Sequence, residues 1–457
     1  MKKLIVTGIL IAGCILFAFT IEQKNEEPVP IPPSKQRSGD AAKGYQYLIT
    51  GDYLKSGMPY SYFKLAIKSD SNDLQRDGLN KNLSYAYTAI KAKNGEVVVA
   101  PNCLQCHAQF FDGKLIVGLG NSFSDFTINR SSFASMAEKM LQKNPDSKAK
   151  YEAAKNFLDV MKTVSPLLLV NTKGINLADH LAAILVAHRD PVTFKWNDSA
   201  TIKIPAGYVA SDVPAWWLLK KKNAMFYNGF GRGDFGRFLM ASNLLTVTDT
   251  SEAREVDSHF NDVLAYINSI QPPAYPKPID TKLAGEGKII FINNCAECHG
   301  TYDKDGSYPN LLIPASTIQT DPLLYSSNYS SSQFANWFNK SWFTTGDHPA
   351  KLVPYKGYIA PPLDGIWITA PYFHNGSVPN LEAVLNSKER PKFWTRDFNN
   401  PLYDYENVGW QYKEESQAGG SSTYNTTLAG FGNQGHYFGD KLNDKERKAI
   451  IEYLKTL

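Results

Sequence analysis

The chain has 457 residues, of which 43% are hydrophobic and 20% charged, with a formal net charge of +4. That length and balance support two or three domains around a real apolar core and exclude a disordered or collagen-like chain. So small a net charge gives no case for nucleic acid as a partner and supports at most a weak pull toward acidic partners or phospholipid.

In chain order, the first segment (1–21) opens with Met1-Lys2-Lys3 and runs apolar from Leu4 to Phe19. A charged start and a short apolar core describe an export signal. The run is short for a spanning helix, which needs roughly 20 residues. Three readings stay open. Ile11-Ala12-Gly13-Cys14 resembles a lipobox with Cys14 as the lipidated residue. Ile15 to Phe19 stay apolar, which fits an uncleaved signal anchor instead. Simple cleavage and release is the third. All three place the rest of the chain in the periplasm or otherwise outside the cytoplasm, and the first two attach it to a membrane through its N-terminus.

Residues 22–40 are polar and carry Pro28, Pro30, Pro32 and Pro33, which reads as a tether. A first folded unit is expected over 41–270, a proline-rich linker over 271–282, and a second unit over 283–457. Helical periodicity runs from Ser147 to Val164 and from Leu177 to His188. Other helices end near Ile270 and begin near Leu283. The last, Asn443 to Leu457, has Asn443 and Glu446 placed as a capping pair and an apolar stripe of Ile450, Ile451, Leu454 and Leu457. Strand signals are few and short. The expected fold is mainly α, with long irregular loops.

Four of the five cysteines lie in two pentads, Cys103-Leu104-Gln105-Cys106-His107 and Cys295-Ala296-Glu297-Cys298-His299; the fifth is Cys14, so none is left for a disulfide. Cysteines at this spacing reach the two vinyl groups of one porphyrin as thioethers, and the adjacent histidine sits under the iron. A metal or redox Cys-x-x-Cys site with a chance histidine is the competing reading. Two such pentads in a chain of five cysteines and eight histidines argue against chance, and an export signal agrees with haem attachment outside the cytoplasm. Two haem c groups are therefore expected, held by Cys103, Cys106, Cys295 and Cys298 with His107 and His299 as axial ligands. Each unit becomes a cytochrome c-type haem domain, and the last helix is expected to cross Leu283–Asn293.

A filled sixth position on the iron makes an electron carrier; an open one allows oxygen or peroxide chemistry. After the second pentad come only His348, His374 and His436, and no methionine follows Met240, so His/Met ligation within that unit is excluded. His436, in Gly435-His436-Tyr437-Phe438-Gly439 ahead of the last helix, is the expected distal ligand, against a loop histidine bonding a propionate or carbonyl. His374 is the runner-up, with a hydrogen bond near the haem as its other role. His348, beside Pro349, is expected in solvent. The first unit offers Met58, Met136, Met140, Met161, His180, His188, Met225 and Met240. Met136, Met140 and Met161 fall on apolar helix faces and read as core. His180 and His188 read as the polar edge of one helix. No obligate ligand stands out, so an open first iron and a six-coordinate one both remain as readings. The aromatic stretch Val213–Gly229 reads as a wall between haems, a pocket lining or ordinary core; Trp217 and Tyr227 are its haem-site candidates.

These motifs together resemble the bacterial di-haem cytochrome c peroxidase superfamily over roughly residues 45 to 457. Val213–Gly229 is similar to its Pro-x-Leu-Trp…Phe-Trp-Asp-Gly segment, and Ala370-Pro371-Tyr372-Phe373-His374-Asn375-Gly376 to its Ala-Pro-Tyr-Phe-His-Asp-Gly stretch. Cys298-His299-Gly300-Thr301-Tyr302, Phe373–Pro379 and Gly435–Gly439 are closest to the di-haem rubber oxygenase branch. The resemblance implies an electron-transfer haem in the C-terminal half and a reactive one in the N-terminal half. It implies an oxidoreductase using peroxide or dioxygen, with a redox protein or small-molecule oxidant as partner. A non-enzymatic electron carrier with both irons six-coordinate is the alternative. The peroxidases' methionine ligand lies near the position of His436, where this chain has histidine, as the oxygenase branch does. Their distal acid has no clear counterpart: Asp234, Glu252, Glu255, Arg232 and Arg237 read equally as surface residues. Phe230, Phe235 and Phe238 imply an apolar distal pocket instead. The substrate is not legible.

Overall fold

The computed structural model describes residues 26–67, 71–207, 209–330 and 332–457. The expected export segment with Cys14 and the first residues of the expected tether, 22–25, lie outside the described residues. Among those described, no helix is long and apolar enough to cross a membrane. The fold is mixed and mainly helical, at 40% helix and 13% strand.

The second half is framed by the two helices expected to cross. Thr281–Asn294 is capped by the Asp280 carboxylate, which accepts from the Lys282 and Leu283 amides. Asp444–Leu454 starts on a complete capping box between Asn443 and Glu446. They meet at Gly287, where a Cβ would overlap the Ala449 carbonyl, so only glycine permits so close a crossing. Phe291, Ile450, Ile451 and Leu454 are buried at that contact together with Trp367, Tyr372 and Trp410. Each such side chain contributes about 1.5–3 kcal/mol of apolar burial.

In the first half, Thr250–Ser269 packs across Ala41–Thr50, again at a glycine: a Cβ on Gly44 would overlap the Asp262 carbonyl. Ser131–Lys143 and Lys148–Leu167 form a helical hairpin. The former buries Ala134, Ala137 and Leu141 and leaves Met136 and Met140 half-exposed at 54% and 49%. Their assignment to the core was one face off, because small alanines rather than methionines allow the close approach. The helix Ala178–Ala187 is apolar nearly all round, so His180 and His188 are buried, not a polar edge. Their rings reach the Leu167 and Asn197 carbonyls at 3.2 and 2.9 Å.

The strands are short, as expected. Tyr87–Lys91, Val97–Pro101 and Met58–Pro59 form one three-stranded antiparallel sheet. Another corrects the tether reading over residues 26–40. Val29–Pro30 pairs at the edge of Leu311–Pro314, with Gly357–Ile359 on the other side. Proline is tolerated on an edge strand because its missing N–H faces away from the ladder. Ile31 is buried, and Arg37 forms ion pairs with Asp234 and Asp257, both at 2.8 Å. The segment is a strap.

The apolar core also crosses the expected linker. One cluster joins Leu48, Phe157 and Phe230 to Trp337, Phe343, Trp394 and Tyr424; another joins Phe111, Leu119 and Trp217 to Trp367 and Trp410. The proline cluster is itself pinned. Trp367 Nε1 donates to the Pro273 carbonyl at 2.8 Å, and Tyr275 Oη donates to the Tyr405 carbonyl at 2.8 Å.

Candidate haem sites

At the second pentad the helix Thr281–Asn294 runs directly into the turn Ala296–His299. Gly300, at φ 80°, then turns the chain away. The His299 Nδ1 lies 2.9 Å from the Pro361 carbonyl oxygen. A carbonyl can only accept, so Nδ1 carries the proton and Nε2 keeps its lone pair for a metal.

The His436 ring lies 6.2 Å from that of His299, centre to centre. An imidazole nitrogen binds a metal at about 2 Å and sits about 1 Å from its own ring centre, so two rings sharing one metal have centres about 6 Å apart. Burial, then the neighbouring His299 and Arg390, push His436 down to about 3; burial also lowers His299. Both rings are neutral at ordinary pH, as axial ligands must be.

His436 has φ 50°, a left-handed backbone that a non-glycine residue adopts only when its surroundings hold it there. They do so from several sides. The His436 amide donates to Ile318 O at 2.8 Å. Arg390 donates to the carbonyls of Ala383 and Asn433 at 2.8 Å, Gly435 at 2.6 Å, Val384 at 3.1 Å and His436 at 3.3 Å. Its guanidinium also lies over the Phe373 ring at 4.9 Å, and Phe373 is 5.9 Å from the His436 ring. Farther back, the Asp321 carboxylate accepts from the Gly430 and Gly432 amides, and Asn375 donates to their carbonyls. Sequence reasoning missed Arg390, Asp321 and Asn375. Each looks like an ordinary loop residue, and its partners are all backbone.

The turn carrying Phe373 and His374 splits them. Phe373 goes to His436, while His374 stacks on Tyr358 at 4.2 Å, its Nε2 3.1 Å from the Tyr358 hydroxyl. Burial pushes His374 down to about 3. Its carbonyl accepts from the Asp212 amide at 2.6 Å. His348 is not in open solvent: its Nε2 lies 3.1 Å from Asp257, beside Arg237.

The first pentad differs. His107 stacks on Trp216, with centres 4.6 Å apart and planes 20° apart. Its Nδ1 is buried without a hydrogen-bond partner among the described residues, and burial pushes the ring down to about 3. Among the described residues no second histidine ring faces it at the His299–His436 spacing. The Cys103 thiol is raised to about 11 by burial, with Ser242 and Tyr53 as neighbours, and Cys106 lies by Asn176. Trp216, not the candidate Trp217, touches the motif histidine. Trp217 is fully buried and donates to the Asp364 carbonyl at 2.8 Å. Tyr227 Oη donates to the Asp212 carboxylate at 3.1 Å. Burial raises Asp212 to about 7 and lowers the neighbouring Arg396 to about 9.

Phe226, Phe230, Phe238 and Phe338 form a run of ring contacts at 5.0–5.6 Å, in the cluster against which Cys103 packs. Of the polar candidates, Asp234, Arg232 and Arg237 are buried, whereas Glu255 is exposed, as a surface residue would be. Asp234 (1% exposed) is paired with Arg37 and caps Phe235–Met240. Arg237 is held by Asp257 and by the Trp342, Phe343 and Thr345 carbonyls. Glu252 accepts from the Thr248 amide and Glu255 pairs with Lys55.

Both pentads fit covalent haem. All four cysteines are free thiols, and each histidine follows within one helical turn. Among the described residues no group of three or more His, Cys, Asp or Glu side chains converges as a metal site, which removes a four-ligand zinc arrangement.

A family profile described as RoxA-like, cytochrome c-like matches residues 357–395. That stretch contains Pro361, the acceptor for His299, the Phe373–His374 turn, and Arg390. It supports the rubber oxygenase-like branch and points to a c-type cytochrome carrying haem c. Two proteins of Sinorhizobium fredii (strain NBRC 101917 / NGR234) are similar in sequence. The uncharacterized protein y4iJ is 28% identical over 253 residues, 41% of this chain and 41% of its own length. The uncharacterized protein y4iM is 27% identical over 242 residues, 48% of this chain and 54% of its own length. The chain thus spans about half the length of these relatives.

Proposed function

We propose that the chain is an exported di-haem oxidoreductase with two unlike sites, an electron-transfer haem at Cys295–His299 and a reactive haem at Cys103–His107. When bound, haem supplies one-electron chemistry and, where its sixth position is free, a place for dioxygen or peroxide. The observation that carries the reading is the asymmetry of the two motif histidines. His299 faces His436 at the spacing two axial ligands need, whereas His107 is backed by Trp216 and, among the described residues, faces no second histidine.

The chain's own residues then divide the work. Pro361 orients His299, and Arg390 with the Ile318 carbonyl holds His436 opposite it. Two imidazole ligands lower a haem's potential relative to His/Met, which suits a donor to the other site. Phe226, Phe230, Phe238 and Phe338 belong to the same extended apolar cluster that Cys103 packs against, which favours an apolar, water-poor surrounding for the first site. Such a pocket favours dioxygen over heterolysis of peroxide. Electrons reach the second site from an exported redox partner.

Electron paramagnetic resonance of the purified ferric protein tests this. One low-spin centre per chain and a second that is high-spin, or becomes so when a displaceable ligand is removed, is the expected result. Two permanently low-spin centres would establish the electron-carrier alternative.

A further inference from the structure

Several buried cations are neutralised. Arg237 has Asp257, Arg447 has Glu382 and Lys455 has Glu452. Arg76 and Arg390 are surrounded by carbonyls. Arg189 and Arg396 are buried with no ion pair among the described residues. The two differ in what surrounds them. Arg189 has its Nε and Nη2 closed in without accessible surface, which leaves a ligand no room. Arg396 borders a cavity.

Arg396 donates to the Ser122 carbonyl and, at 3.4 Å, to the Ser122 hydroxyl. Its guanidinium lies 4.6 Å from the Phe123 ring centre and 4.9 Å from that of Phe398. Burial pushes it down to about 9, with Asp212 opposing that. Asp212 is a weak counter-ion, since burial pushes its own carboxyl up to about 7 and it already accepts from Tyr227.

The cavity measures about 10 Å³, room for one water-sized group. Trp394, Tyr424 and Gly376 form its buried walls, while half-buried Lys173 and exposed Ser422 form its mouth. Two of its lining residues are cations and none is an acid. Lys173 pairs at 3.7 Å with Asp125, which is not part of the lining. Gly174, at φ 78°, is also on the wall. A Cβ there would come within 2.8 Å of Arg396 Nη2 and of the Ser122 carbonyl oxygen, so glycine keeps the space beside Arg396 open. A water would satisfy an N–H but leave the charge unpaired; an anion does both. The volume admits a halide and excludes sulfate, phosphate or the body of an organic acid.

We propose that Arg396 and Lys173 hold a single halide-sized anion, such as chloride, in this cavity. Pro371 and Gly376, which bracket the turn carrying Phe373 and His374, line it together with Lys173 and Gly174 from the first half. The anion therefore fastens that turn to the first half of the chain. This site does not depend on the di-haem reading.

The test is thermal unfolding of the haem-loaded chain in sodium chloride against sodium gluconate at equal ionic strength, for wild type, Arg396→Gln and Lys173→Met. Wild type is expected to gain a few degrees in chloride, saturating as a single site does. Lys173→Met should need several-fold more chloride for the same gain, and Arg396→Gln should show none. Should Arg396→Gln not fold, Lys173→Met at the mouth carries the comparison. Crystals soaked in bromide should show an anomalous peak beside Arg396. Equal gains in the two salts, or no bromide peak there, would assign the cavity to water and overturn the proposal. A chloride response identical in wild type and Lys173→Met would place the anion elsewhere and overturn it too.

Discussion

At the scale of single residues, the second site is made by backbone acceptors that no motif announces. Arg390 is the clearest case. Replacing it with methionine leaves the Gly435 and His436 carbonyls without their donor. Each unsatisfied buried group costs about 1–3 kcal/mol. Arg390→Met is therefore expected to loosen His436 and give a partial, temperature-dependent high-spin fraction at one haem, read from the visible absorption spectrum. Asp212 carries a pH dependence. Its carboxyl is raised from 3.8 to about 7 in the folded chain, chiefly by burial. Below about pH 4 both states hold the proton and its contribution is complete. As pH rises, the unfolded chain loses the proton first, so stability falls until the folded group titrates near 7. Asp212→Asn is expected to remove that fall, gaining roughly 2–3 kcal/mol over wild type between pH 5 and pH 8. Melting temperatures at the two pH values check this; parallel shifts in both proteins would contradict it.

Among the elements, the two helices crossing at Gly287 and Ala449 position the second pentad. Gly287→Val forces the helices apart and is expected to destabilise by about 1–3 kcal/mol with loss of haem incorporation. Asn443→Ala removes the capping box at a cost of about 1 kcal/mol and leaves the spectrum unchanged. Thermal unfolding of the two variants ranks them. These helices were legible in the sequence because apolar period and capping residues coincide in them. At Ser131–Lys143 a helix was legible but its buried face was not, since that side is alanine and the methionines point out. His436 was singled out by elimination among three histidines, and its ring does lie 6.2 Å from that of His299, but the residues holding it were not legible. Trp216 and Trp217 are adjacent and alike in sequence; only packing says which one meets His107.

For the whole molecule, the sequence suggested two units joined by linkers, whereas the core runs through both halves and the N-terminal segment straps them. Proline clusters misled twice, because an edge strand and a pinned crossing use proline as readily as a tether does. Arg37 is the strap's anchor, bonded to two buried carboxylates. Arg37→Ala leaves Asp234 and Asp257 short of a cation and is expected to destabilise by roughly 3 kcal/mol or more, with early proteolysis within residues 26–40. The proposed function rests on the inequality of the two pentads. Carbon monoxide binding to the reduced protein, titrated in wild type and in His436→Ala, measures it most directly. One carbon monoxide per chain in wild type and two in the variant is the expected result. None in wild type, or no second site opened by removing His436, would contradict the account.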